Sequence, residues 1–228
     1  MGPRESFDQE LQRLKDAVLA LGSRVENAIV DSVRSLKERD TEAARDIIAQ
    51  DRLINERRFD LEADALALIA TQQPMARDLR IIAAVLDITS ELERIGDYAK
   101  GIARIHLMIG GQPFIKPLIH LPAMADKASD MLHQSLEAFA RDDTALARAV
   151  PETDDEVDAL YNQVYHELLE LIMGDASRID QANYLLWAAH NLERAADRVT
   201  NICERVIFTA TGEMVEMDME ETGVESTG

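Results

Sequence analysis

Aromatic residues are scarce in this chain, at 4% of 228 positions, and there is one cysteine, Cys203. A core with so few rings must be built from aliphatic side chains. A single thiol excludes an intrachain disulfide, which fits a reducing compartment. Only six prolines and ten glycines punctuate the chain. No apolar run approaches the ~20 residues needed to span a bilayer. Glu10, Arg13, Lys15 and Asp16 interrupt any signal-peptide core at the N-terminus. A cytoplasmic protein with no direct membrane insertion is expected. Met1–Ser6 fits a loose myristoylation pattern, and Pro3 within it makes coincidence the reading adopted.

Basic residues are also short, 24 against 43 acids, for a formal net charge of −19. That field repels nucleic-acid backbones and anionic lipid surfaces. Cations and basic protein surfaces are the partners it attracts. What remains is rich in Ala, Leu, Ile, Glu, Asp and Arg, residues that lose little freedom on becoming helical. An all-α fold follows.

Apolar residues Phe7, Leu11, Leu14, Val18, Leu21, Val25 and Ala28 alternate gaps of four and three, the seam of a bundled helix. Ser6 and Gln9 suit a capping box at its start. Asp40-Thr41 predicts the cap of a second helix running to about Thr71. Pro74 suits the first turn of a third, which Leu79, Ile82, Leu86, Leu92, Ile95, Ala99 and Ile102 carry to Gly110-Gly111. Two glycines and three prolines over 110–122 read as a connector. Helices then follow at about Ala123–Arg141, Asp143–Met173 and Ser177–Ala210, with Pro151 kinking the fifth or setting its true start. Trp187 and Cys203 fall on the sixth and are expected to be core or half-buried. The aperiodic, charged tail reads as disordered.

The second half repeats the first. Leu92-Glu93-Arg94-Ile95-Gly96-Asp97 matches Leu192-Glu193-Arg194-Ala195-Ala196-Asp197 one hundred positions later. Asp40 matches Asp143, and Asp51-x-x-x-Asn55 matches Asp154-x-x-x-Asp158, both offset by 103. A three-residue deletion reconciles the offsets. The expected architecture is two tandem, pseudo-symmetric three-helix bundles, six helices in all. Residues 4–110 form the first, 111–122 the connector, 123–212 the second and 213–228 the disordered acidic tail.

On a helix, i and i+4 share a face, so Glu93 lies beside Asp97 and Glu193 beside Asp197. Such pairs repel by ~0.2–0.5 kcal/mol unless a positive group, an Arg, a Lys or a metal ion, lies between them. With 43 acids in 228 residues, about eight such pairs arise by chance, so one alone is ordinary solvated surface. Recurrence in one context in both copies, with a second pair of oxygen-bearing side chains (Asp51 and Asn55, Asp154 and Asp158) on the neighbouring helix of each, is what singles these out. Four oxygen-bearing side chains could converge in each half.

These motifs, with Gln73-Pro74-x-Ala76-x-Asp78-Leu79-Arg80, the opening Phe7-x-x-Glu10-Leu11 and the closing Thr211-Gly212-Glu213, resemble the PhoU family of phosphate-uptake regulators over about residues 4–213. The resemblance implies metal clusters on the acidic pairs: Asp51, Glu93 and Asp97 in the first half, and Asp154, Asp158, Glu193 and Asp197 in the second. It also implies a cytoplasmic, homodimeric negative regulator, attached to membrane complexes only through its partners. Those partners are a phosphate ABC transporter ATPase and a sensor histidine kinase. Carboxylate ligands suit Fe, Zn, Mn, Mg or Ca without selecting among them. The sequence departs from the pattern at Asn55, at Ala195-Ala196, at Tyr98 and Arg198 where His is frequent, and at Gly101.

A di-iron oxidase would need Glu-x-x-His pairs, and none of His106, His120, His133, His166 or His190 follows a Glu by three. No phosphate loop, Ser-His-Asp set or zinc motif appears, so no enzymatic activity is expected. His190, three before Glu193, reads as a surface or packing residue. Arg77, Arg80, Arg94 and Arg194 read as surface ion-pair partners. The alternatives are a metal-free helical adaptor and an accessory of a different phosphate carrier.

Overall fold

The computed structural model describes residues 3–217, and among these every regular element is helical. Helix α1 spans Pro3–Glu38, α2 Thr41–Gln72 and α3 Ala76–Ile109. After a connector come α4 (His120–Arg141), α5 (Thr144–Ala149), a 3₁₀ turn (Val150–Thr153) and α6 (Asp154–Gly174). A second 3₁₀ turn, Ala176–Arg178, leads into α7 (Ile179–Thr211).

Helices α1, α2 and α3 form one three-helix bundle, and α4, α5–α6 and α7 form the other. They lie side by side, α3 against α7 and α1 against α4, over one continuous apolar core. Burial follows the repeat along every helix. At an offset of 103, Val18, Leu21, Val25 and Ile29 on α1 match buried Leu121, Met124, Ala128 and Leu132 on α4. Ile54, Leu61 and Ala65 on α2 match Val157, Val164 and Leu168 on α6. At an offset of 100, Ile82, Val85, Leu92, Ala99 and Ile102 on α3 match Ala182, Leu185, Leu192, Val199 and Ile202 on α7.

Several boundaries differ from the sequence expectation. Pro151 both breaks the fifth segment and sets its second start, because proline cannot donate to the preceding turn. Helix α4 begins at His120, taking in the connector's last proline, since Pro122 sits in its first turn where no donor is needed. Pro74 precedes α3: Gln73 takes a left-handed conformation at φ 47° and extended Met75 is the N-cap. Helix α1 is already formed at Pro3, so Ser6 is interior to it. Leu79 is 43% exposed and Trp187 49%, so neither belongs to the core, whereas Cys203 does. Of the tail expected from 213, the described part packs back. Met217 donates its N–H to Glu204 Oε1 at 2.9 Å, and Val215 and Met217 touch the core. The remainder of that tail, 218–228, lies outside the described residues.

Candidate functional site

In the first bundle the acidic residues lie on the seam between α2 and α3. Asp51 is buried on α2, and its Oδ2 accepts from Lys100 Nζ of α3 at 2.6 Å. Lys100 also donates to Asp97 Oδ1 at 3.1 Å, so one ammonium ties carboxylates from two helices together. Asn55 Nδ2 donates to the backbone carbonyl of Asp51 at 3.2 Å and to its Oδ2 at 3.3 Å. Asp51 Oδ1 is buried with no hydrogen-bond partner. Gly96 eases the close approach of the two helices: a Cβ there would lie 3.1 Å from Ile54 Cδ1, tighter than ordinary contact. Asp51 and Gly96 also border a cleft of about 410 Å³ between α1 and α2.

Electrostatics bring Glu93 into the same group. Burial, then neighbouring Asp97, raises its carboxyl above the ordinary range, while Arg58 of α2 pulls it back and Asp51 adds to the rise. Lys100 is also raised, chiefly by its hydrogen bond to Asp51, against the opposing cost of burial. The three acids assigned from sequence to the first half thus share one neighbourhood. Lys100 and Arg58 belong to it too, and motif reading missed both. The signal available was Lys100's position three residues after Asp97, one helical turn away on the same side.

In the second bundle Asp154 opens α6, and Asp158 and Tyr161 follow at i+4 and i+7 on the same face. Glu193 of α7 lies close enough to Tyr161 to act on its phenol. The Tyr161 phenol is raised by burial first and then by Glu193. His190 Nδ1 lies 2.9 Å from Glu193 Oε2, and its ring centroid 6.1 Å from that of Tyr161. His190 is therefore a direct neighbour of Glu193. Asp197 sits one turn further along α7, next to Arg198. Arg198 itself reaches across to Glu91 of α3, at 3.6 Å.

The other arginines behave mostly as surface partners. Arg77 bonds Asp142 at 3.1 Å and Arg94 bonds Glu91 at 3.0 Å. Arg194 stacks instead on Tyr98, 4.9 Å from the ring centre, joining α7 to α3 across the seam between bundles.

Carboxylates are the right donors for a hard cation. Among the described residues, however, no three Asp, Glu, His or Cys side chains are gathered as a metal ion would need. In the first half the reason is visible: an ammonium already bridges Asp51 and Asp97. As they stand, neither the first half's acids nor the second half's are gathered as a metal cluster needs. No helix among the described residues is long and apolar enough to cross a membrane.

The family described as PhoU domain matches the chain twice, over residues 18–105 and 121–206. A relative from Clostridium acetobutylicum, named phosphate-specific transport system accessory protein PhoU homolog, is 34% identical over 216 residues, covering 94% of this chain and 99% of its own. One of the same name from Zymomonas mobilis is 36% identical over 92% of this chain and 89% of its own. Among solved structures, PhoU from Pseudomonas aeruginosa superposes with a TM-score of 0.86 at 31% identity, over 91% of this chain and all of that one. The phosphate transport system regulatory protein PhoU from Streptococcus pneumoniae also gives 0.86 at 31% identity, over 92% of this chain and all of that one.

Proposed function

Because this chain belongs to the PhoU family, we propose that it is an accessory regulator of phosphate uptake, acting by protein contacts and without catalysis. The supporting observation is that both halves match the family, and that relatives similar along nearly their whole length carry the accessory-protein name. On this reading it links the ATPase of a phosphate ABC transporter to a sensor histidine kinase and restrains phosphate-starvation signalling. It works in the cytoplasm, as a homodimer, reaching the membrane through its partners. The acidic surface fits such a role, since a field of this sign favours basic protein faces. Accessory action on a different phosphate carrier is the competing reading.

Affinity capture with the intact chain from phosphate-replete cells tests the assignment. Recovery of a transporter ATPase and a histidine kinase is expected. Recovery of neither contradicts it, and recovery of another phosphate carrier favours the competitor.

Cation binding belongs to the second half on this reading. The support is chemical: Asp154, Asp158, Glu193 and Asp197 are four hard oxygen donors on two facing helices. Metal content of protein purified without chelator, compared with Glu193→Ala/Asp197→Ala, checks it. Equal content in the two proteins would reject these ligands.

A further inference from the structure

The two acidic seams occupy equivalent places in a duplicated scaffold, so they can be compared position by position. Four acid positions align: 51 with 154, 55 with 158, 93 with 193 and 97 with 197. The first half keeps three of the acids and has Asn55 at the fourth. Two further positions on the seam differ. Arg58 stands where the second half has Tyr161, and Lys100 where it has Thr200. Each of the three differences makes the first seam more positive by one unit. Together they leave it with one net negative charge, against four at the equivalent six positions of the second, taking all as ionised.

The geometry shows what the added charge does. Lys100 Nζ sits between the carboxylates of α2 and α3, 2.6 Å from Asp51 Oδ2 and 3.1 Å from Asp97 Oδ1. Its side chain is largely buried, 19% exposed, and that of Asp51 is 8% exposed. An ammonium this enclosed, bonded to two carboxylates, occupies the place a bound cation would take and repels any second cation brought there. Arg58 adds positive charge beside Glu93. Arg198, a cation that the second half gains at position 98's equivalent, reaches Glu91 and Tyr98 across the inter-bundle seam and also feels the charge of Asp197 beside it.

We propose that Lys100 is the resident cation of the first half: its ammonium, tethered to the chain, offsets the carboxylates of the α2–α3 seam through ion pairs, and this half holds its fold without a metal ion. The duplication has diverged into one half that carries its own bridging cation and one whose seam keeps all four acids. This inference needs neither the regulatory assignment nor metal binding by the second half.

The test uses the full chain carrying Glu193→Ala/Asp197→Ala, so that bound metal reports the first half. Each protein is loaded with excess Mn²⁺, desalted and assayed for bound manganese, and its Tm is measured in EDTA and in Mn²⁺. The parent is expected to retain no manganese and to show the same Tm in both. Lys100→Thr, which installs the second half's residue, should lower the Tm in EDTA by roughly 3–8 °C. Lys100→Arg, which keeps the charge, should restore most of that loss. Should Lys100→Thr prove too unstable to purify, the Lys100→Met/Asp51→Asn pair takes its place, with a smaller loss expected than for Lys100→Met alone. Manganese retained by the parent and lost on Asp51→Asn would overturn the proposal. An unchanged Tm for Lys100→Thr in EDTA would overturn it too. Absence of metal from the otherwise wild-type chain would count against the second-half reading alone.

Discussion

Asp40 and Asp143 stand 103 positions apart and cap their helices with the same pair of bonds. Asp40 Oδ1 accepts from the N–H groups of Glu42 and Ala43 at 3.1 and 3.0 Å, and Asp143 Oδ1 from those of Ala145 and Leu146 at 3.0 Å each. Each aspartate satisfies donors that the first helical turn leaves free. The duplication is thus preserved at the level of single hydrogen bonds.

Asp40→Ala and Asp143→Ala are each expected to cost about 1 kcal/mol. The caps belong to different bundles and share no partner, so the double variant should lose about the sum. Urea denaturation of the three proteins checks both the magnitude and the additivity.

Cys203 is buried on α7, and burial, with Glu204 close by, pushes its thiol up to about 12. At neutral pH it is a thiol with no access to solvent, so it should resist alkylation in the native protein. Iodoacetamide labelling followed by intact mass should show no adduct until denaturant is added. Rapid labelling of the native chain would place Cys203 elsewhere.

His106 lies on α3 with its Nδ1 3.5 Å from Ser35 Oγ of α1 and its Nε2 buried without a partner. Burial lowers its pKa, opposed by Asp40. The folded state therefore holds it neutral, while the unfolded chain takes up a proton near pH 6.5. The sign is fixed: the unfolded state binds more protons, so stability falls as the pH drops below about 6.5. His106→Val installs the residue found at the equivalent position 206, also buried. Denaturation midpoints measured from pH 7.5 to 5 should fall less steeply for His106→Val than for the parent.

Leu92 and Leu192 are fully buried partners in the repeat, each packed in the common core. Truncating either to Ala should cost about 2–5 kcal/mol through lost burial and a residual cavity. Trp187→Ala, at an exposed site of the same helix as Leu192, should cost well under that. Comparison of the three in urea separates core from surface on α7.

Much of the fold was legible because helices announce themselves through periodicity and the repeat doubles every signal. The seam from Phe7 to Val25, the cap at Asp40, its match at Asp143, and the matched Leu92 and Leu192 could all be read from spacing. Boundaries near prolines could not. Pro74 and Pro122 are both compatible with a first helical turn, yet only Pro122 occupies one, because Gln73 turns left-handed before Pro74. Leu79 and Trp187 fit helical stripes but lie where no neighbouring helix covers them.

The acidic residues at the candidate site were found by pairing the halves, and the lysine was not. Charge repulsion between Glu93 and Asp97 implied a positive group nearby, but spacing along α3 alone does not reveal that Asp51 of α2 comes within 2.6 Å of Lys100. Comparing Lys100 with Thr200, and Arg58 with Tyr161, as closely as the acids were compared would have exposed the asymmetry.

A phosphate-starvation reporter in the source organism, read in high phosphate with and without the gene for this chain, tests the regulatory account most directly. The account predicts that the reporter is silent with the chain present and strongly expressed without it, and that the gene supplied in trans silences it again. A reporter that stays silent in high phosphate when the chain is absent would contradict it.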